Sequence, residues 1–270
     1  MEPMLTIALR AAREAADYIV RAGERLDRLN VESKSVNDYV SEVDREAERI
    51  IIETLKEKYP THAFLAEESA PTLDDRDNDY LWVIDPLDGT TNFLRGIPHY
   101  AISVACYHKG RLEHGLVIDP IRREEFLASR GRGAQLNGKR IRVSGRKSLD
   151  GALLGTGIPF KSRSQDQMPA YLQSLDKLAL QTAGIRRAGA AALDLAYVAA
   201  GRLDGFWEIG LSEWDIAAGA LLVQEAGGLI GDVCGGSGHL QSGNVVCATP
   251  KCFKPMLQAI QPTLGHLQKA

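Results

Sequence analysis

Residues 82–93 read Trp82-Val83-Ile84-Asp85-Pro86-Leu87-Asp88-Gly89-Thr90-Thr91-Asn92-Phe93. An apolar run ends at Asp85, Pro86 has no N–H to continue a sheet ladder, and Asp88-Gly89 turns the chain sharply back. Such a turn can set two carboxylates and the Leu87 carbonyl around one point, an all-oxygen donor set of the kind hard divalent cations take. Beyond it, Gly89, Thr90 and Thr91 offer backbone N–H groups and hydroxyls at a helix start, where unpaired amides favour an anion. A metal and an anion in one turn point to phosphoryl chemistry, while the plain alternative is a capped hairpin corner.

Outward from this turn the chain divides into two patterns. Upstream, apolar residues at helical spacing predict a first helix ending near Gly23, and EVDREAERIIIETLKEKYP predicts a second, beginning close to Asp44 and stopped by Pro60. NVESKSVND between them reads as a polar connection. HAFLAEES, YLWVIDP, HYAISVACYH, RLEHGLVIDP and EEFLASRGRGAQLNGKRIRV read as strands, several joined as hairpins through turns such as Lys109-Gly110 and Asn137-Gly138. The first 150 residues therefore predict helices on a largely antiparallel sheet.

Downstream, strands at ALLGTGIPF, GIRRAG, DGFWEIG, LIGDV and NVVCAT alternate with helices across MPAYLQSLDKLAL, from Ala191 to Ala200, from Ser212 and at the terminus. No repeat or linker interrupts the pattern, so residues 1–270 are read as one unit of two intimately packed halves, about 1–150 and 151–270.

Across 270 residues the composition is 44% hydrophobic and 25% charged, which excludes wholesale disorder. The 32 Lys plus Arg against 35 Asp plus Glu leave a net charge of −3, and no global pull toward nucleic acid or an anionic membrane. No run approaches the ~18 apolar residues of a membrane helix, and the amino terminus lacks a secretory pattern. Cys106, Cys234, Cys247 and Cys252 show neither zinc nor disulfide-scaffold spacing, so a reducing cytoplasm is expected.

Four further acids carry two readings each. Glu67-Glu68 follows Phe64-Leu65-Ala66, so paired acids close a strand, where they repel unless a cation neutralises them or water solvates them. Asp44 either serves chemistry or stabilises the first turn of its helix. In Ser212-Glu213-Trp214-Asp215 the spacing is that of a capping box, yet the helix behind it is apolar throughout and would carry Asp215 toward the core. His99, His108 and His114 flank strands and read as structural or exposed.

Taken together, WVIDPLDGTTNF, AEES and EWDIAAGALLVQEAGG resemble the inositol monophosphatase family of metal-dependent, lithium-sensitive phosphatases, over nearly the whole chain. The resemblance implies an α+β fold, the layered α-β-α-β-α sandwich, usually as a homodimer. It implies metal ligands at Glu67, Asp85, the Leu87 carbonyl, Asp88 and Asp215 for two or three Mg²⁺. A catalytic Thr90–Asp44 dyad would act with Glu67 at the attacking water, and the amides of Gly89 and Thr90 would hold the phosphate. Gly189, Ala190, Ala191, Glu208 and Asp215 would face a small phosphorylated polyol. Position 190 carries Ala where many relatives carry Thr or Ser, which removes one hydroxyl contact. The loop 162–168, with Ala190, is expected to set substrate choice.

Two rival functions remain open at this stage. Some bacterial relatives act with the elongation factor NusA and RNA polymerase in ribosomal RNA antitermination, and Ile185-Arg186-Arg187-Ala188-Gly189 is the segment here suited to a partner surface. The other keeps the chemistry and changes the substrate, to fructose 1,6-bisphosphate or a nucleotide.

Overall fold

The computed structural model describes residues 2–26, 31–35, 38–69, 77–159 and 165–268, with the side chains of 31–41 not described. Helix α1 (Pro3–Gly23) buries Leu5, Ala8, Leu9, Ala12, Ala16 and Ile19 along one stripe. Helix α2 (Glu42–Lys58) does the same with Val43, Ala47, Ile51 and Leu55. The segment expected as a polar connection is instead a two-stranded ribbon, β1 (Val31–Ser35) against β2 (Asp38–Ser41).

A seven-stranded sheet follows, in the order β3-β4-β5-β6-β7-β8-β9. Its strands are β3 (Ala63–Ala66), β4 (Tyr80–Asp88), β5 (Ala101–His108), β6 (Arg111–Asp119), β7 (Glu124–Ser129), β8 (Gly133–Leu136) and β9 (Lys139–Arg140). Only β3 and β4 run parallel; every other neighbour is antiparallel. The hairpin turns fall where expected, with positive φ at Lys109 and Gly110 and at Asn137 and Gly138.

One expectation about β4 needs correction. The strand does not end at Asp85: pairing with β5 resumes at Asp88 opposite Ala101, after a bulge that fits one extra residue between Asp85 and Asp88. Pro86 cannot donate, so the chain bulges over it and rejoins the ladder.

The second sheet, β11-β10-β12-β14-β13, contains β10 (Leu153–Thr156), β11 (Gly184–Arg186), β12 (Gly205–Glu208), β13 (Leu229–Gly231) and β14 (Val245–Ala248). Its helices are α4 (Met168–Ala179), α5 (Ala191–Ala199), α6 (Glu213–Glu225), the one-turn α7 (His239–Ser242) and α8 (Pro250–Leu264), while the five-residue α3 (Thr90–Leu94) belongs to the turn after β4.

Three apolar layers hold these elements together. In the first, α1 and α2 cover one face of the large sheet through Phe64, Trp82, Ile84, Val104 and Leu116. In the second, α5 and α6 lie between the sheets, against Leu65, Val83 and Val117 on one side and Phe206, Val245 and Cys247 on the other. In the third, α4 and α8 cover the outer face of the small sheet around Leu154, Trp207 and Val246. The result is α-β-α-β-α, as the resemblance implied. Helix α6 shows why: Ile216 to Val223 are all buried, and a helix apolar all round needs sheets on both sides. Each layer holds one fully buried free thiol, Cys106 in the first, Cys247 in the second and Cys252 in the third.

Candidate active site

Four chain ends meet where the large sheet faces α5 and α6. Because β3 and β4 are parallel with Ala66 beside Ile84, the residues that follow, Glu67 just past β3 and Asp85 at the bulge of β4, come side by side. The Glu67 amide donates to the Ile84 carbonyl at 3.1 Å, which fixes that juxtaposition. Asp85 is 1% exposed, and its Oδ1 accepts from the Leu87 N–H at 2.9 Å across the bulge. Asp88 Oδ2 accepts from the Ala192 N–H at 2.7 Å, so the start of α5 is tied to the turn.

Asp215 enters from the start of α6. Both halves of the capping box are present, and Asp215 Oδ2 accepts from the Ser212 N–H at 2.7 Å. The capping and site readings of Asp215 are therefore compatible, since a carboxylate spending one oxygen on the cap has another left.

The electrostatics follow from this crowding. Burial first, then the charges of Glu67, Asp88 and Asp215, hold the Asp85 carboxyl well above the ordinary carboxylate range. Asp88 is raised by burial and then by Asp215. Like charges drawn into a buried corner favour protons or cations.

Next to the acids, Gly89 has φ +95°, and a Cβ there would lie 3.1 Å from the His99 carbonyl and 3.2 Å from that of Gly189. Only glycine fits this left-handed, crowded corner. The corner opens α3 at Thr90, whose Oγ1 is 2.9 Å from Asp44 Oδ1 and 3.1 Å from the Leu87 carbonyl oxygen. Asp44 is fully buried in the first turn of α2. Asn92 then stitches the two sides: its Nδ2 donates to the carbonyls of His99, at 2.7 Å, and Ala188, at 2.9 Å.

Across the turn, Gly189 (φ +87°) and Ala190 lead into α5 at Ala191, and Glu208 closes β12. Glu208 is 7% exposed and raised by burial, then by Asp194, Asp215 and Asp88. Hydrogen bonds, strand register and mutual charge thus link Asp44, Glu67, Asp85, Leu87, Asp88, Gly89, Thr90, Gly189, Glu208 and Asp215, while Ala190 and Ala191 follow Gly189 along the chain. Of the loop 162–168, residues 162–164 lie outside the described residues. Arg186 and Arg187 are exposed, as a partner surface requires, but Arg187 also lies close enough to Asp194 and Glu208 to favour their charged forms.

Asp194 was not singled out by sequence reasoning. It is 2% exposed on α5, and burial pushes its carboxyl up to about 8. A lone acid inside AALDLAYVAA was the available signal. His108 stacks on Tyr80 and Tyr80 on His62, and His114 Nδ1 meets Ser129 Oγ at 2.9 Å, contacts that suit a structural reading of His108 and His114.

Among the described residues, no three His, Cys, Asp or Glu side chains already converge as a closed ligand set. The donor chemistry nevertheless fits Mg²⁺: the donors are oxygens only, the carboxylates are buried, and their mutual repulsion is relieved by a cation.

The profile of the inositol monophosphatase family matches residues 1–266. The chain belongs to that family. Its members are phosphatases that are generally metal-dependent. Among curated relatives it is similar to the Nus factor SuhB of Pseudomonas aeruginosa, 62% identical over 98% of both chains. It is likewise similar to the Nus factor SuhB of Escherichia coli K12, 49% identical over the full length of both. Among solved structures, the extragenic suppressor protein suhB of Bartonella henselae superposes with a TM-score of 0.92 at 40% identity, covering 96% of this chain and 99% of that one. The inositol monophosphatase of Anabaena superposes with a TM-score of 0.83 at 32% identity, over 96% and 95%.

Proposed function

We propose that this protein hydrolyses myo-inositol monophosphate and related small phosphomonoesters to the alcohol and phosphate, in the presence of Mg²⁺ and with inhibition by Li⁺. The observation that carries this reading is the meeting of Asp85, Asp88, Asp215 and Glu67 beside the Gly89–Thr90 helix start, with Thr90 Oγ1 held 2.9 Å from Asp44. Glu67, Asp85, the Leu87 carbonyl, Asp88 and Asp215 would hold two or three Mg²⁺. When bound, the metal supplies charge stabilisation of the phosphoryl group and the leaving oxygen, and acidifies water.

The protein's own groups do the positioning. The Gly89 and Thr90 amides bind phosphate oxygens at the start of α3. Thr90 Oγ1 donates to Asp44, which leaves its lone pairs to accept a hydrogen from the attacking water and to orient it with Glu67. Glu208, Gly189, Ala190, Ala191 and Asp215 face the polyol. Water attacks phosphorus directly, the P–O bond to the alcohol breaks, and no phosphoenzyme is required. The test is phosphate release from myo-inositol 1-phosphate with and without Mg²⁺ and Li⁺; well-folded protein inactive on this and other small phosphate esters would overturn the reading.

A second role is favoured by the 62% identity to a protein named as a Nus factor. We infer that the chain also binds NusA or RNA polymerase as a homodimer in the cytoplasm, with Arg186 on the exposed edge strand β11 as one contact. Among the described residues no helix is long and apolar enough to cross a membrane. Copurification with NusA that persists in an Asp88→Asn variant supports a role independent of catalysis, and failure of the wild type to bind NusA or RNA polymerase sinks it.

A further inference from the structure

Strands β10 and β12 run parallel with Thr156 beside Trp207, so Gly157, the residue after β10, comes to lie beside Glu208. A Cβ on Gly157 would fall 1.8 Å from Glu208 Oε1 and 2.1 Å from Oε2, so the Glu208 carboxyl occupies the space a side chain there would need. A Cβ on Gly155 would lie 3.3 Å from Asp194 Oδ1. Positions 155 and 157 point to the same side of an extended chain, roughly 6.6 Å apart at ~3.3 Å per residue. Two carboxyls, from α5 and from β12, therefore rest on one glycine floor.

Both carboxyls are at least nine-tenths buried, and among the described residues neither accepts a hydrogen bond. The groups facing them are few. Asp194 is faced by Arg187 from the loop after β11, by Cys247 from β14 and by Asp88 from the turn; Glu208 is faced by Arg187, Asp215, Asp88 and Tyr171. A buried carboxyl without a hydrogen-bond partner is costly, and one kept in a fold calls for an explanation such as a ligand that completes it.

We propose that Asp194 is a substrate-contacting residue that acts with Glu208 as a two-carboxyl acceptor for neighbouring hydroxyls of a polyol phosphate. The proposal rests on the phosphatase reading above and adds to it a selectivity element. Two acceptors on one floor suit a ring with adjacent hydroxyls, whereas a phosphate ester of a simple phenol leaves both unpaired. Arg187, at the rim, favours the charged form of both against the burial that raises them, and a carboxyl accepts through an unprotonated oxygen in either form.

The test compares the full-length wild type with Asp194→Asn, a near-isosteric change, after circular dichroism shows both folded. The kcat/KM for myo-inositol 1-phosphate is divided by that for phenyl phosphate, both with Mg²⁺. We expect this ratio to fall roughly tenfold in the variant, mainly through KM for the polyol ester, as the loss of one hydrogen bond implies. Equal losses on both esters would mean a structural role and overturn the proposal. If the wild type hydrolyses neither ester, the phosphatase reading fails, and calorimetric binding of free myo-inositol still decides this one. Binding weakened in Asp194→Asn supports it; equal or absent binding rejects it.

Discussion

The Ala192 N–H donates to Asp88 Oδ2 across 2.7 Å, so the first turn of α5 in the second half of the chain holds a carboxylate of the β4 turn in the first. The same carboxylate lies close to Asp215, Asp194 and Glu67, whose charges raise its affinity for a proton. One side chain therefore links the position of a helix to the charge of the site.

Asp88→Asn tests that link. Losing a ligand charge should lower Mg²⁺-dependent turnover by roughly a hundredfold or more, while relief of repulsion leaves the metal-free Tm equal to or above that of the wild type. In the wild type, Mg²⁺ should raise Tm by mass action, and the variant should lose most of that increment. Thermal melts with and without Mg²⁺, beside initial rates, check both; a variant with near-normal turnover contradicts the role given to Asp88.

The Thr90–Asp44 pair makes a narrower prediction. Thr90→Val removes the hydroxyl at nearly constant volume and should cost about 10²–10⁴ in kcat. Thr90→Ser, which keeps the hydroxyl, should recover most of the rate. Equal rates for the two variants would show that the hydroxyl does not align water.

Stability should depend on pH through Asp194. Its carboxyl is held at about 8 in the fold against an ordinary value of 3.8, so the folded state binds the proton more tightly than the unfolded one. The stabilisation this provides is full below the unfolded value and is lost as pH rises through the folded one. Asp194→Asn has no such proton to lose. Without Mg²⁺, the Tm of the variant minus that of the wild type should grow between pH 5 and about 9. A constant difference over that range would be the contrary result.

Ser212→Ala addresses the cap alone. Loss of the side-chain cap on α6 should cost about 1 kcal/mol, a Tm decrease of roughly 2–4 °C. Asp215 still accepts from the backbone of residue 212, so turnover should change little. Activity lost at unchanged Tm would assign Ser212 a direct part in the chemistry.

The elements most legible in the sequence were those coded by local chemistry. Ser212 and Asp215 announce their capping box by spacing, and Lys109-Gly110 and Asn137-Gly138 their hairpins. The β1–β2 ribbon was missed because NVESKSVND has no apolar alternation to mark a strand. Pro86 was read as an end when the structure treats it as a bulge, since a missing N–H can be bypassed as well as obeyed. Within the candidate site only the Asp85–Asp88 turn was legible from local chemistry; Glu67, Asp44 and Asp215 read as separate acids until the family resemblance joined them, because their meeting depends on strand register, as with Glu67 beside Asp85. Asp194 stayed hidden because it lies on helix α5 and its neighbour Glu208 arrives from strand β12.

The distribution of cysteines has a practical consequence. Burial pushes the Cys106, Cys247 and Cys252 thiols up, so at neutral pH each is protonated and shielded until its own layer opens. Thiol labelling followed by mass spectrometry would thus time the opening of each layer at native concentration, with three reporters already built into the chain. Synchronous labelling would mark a single cooperative melt, and staggered labelling would reveal which sheet face lets go first.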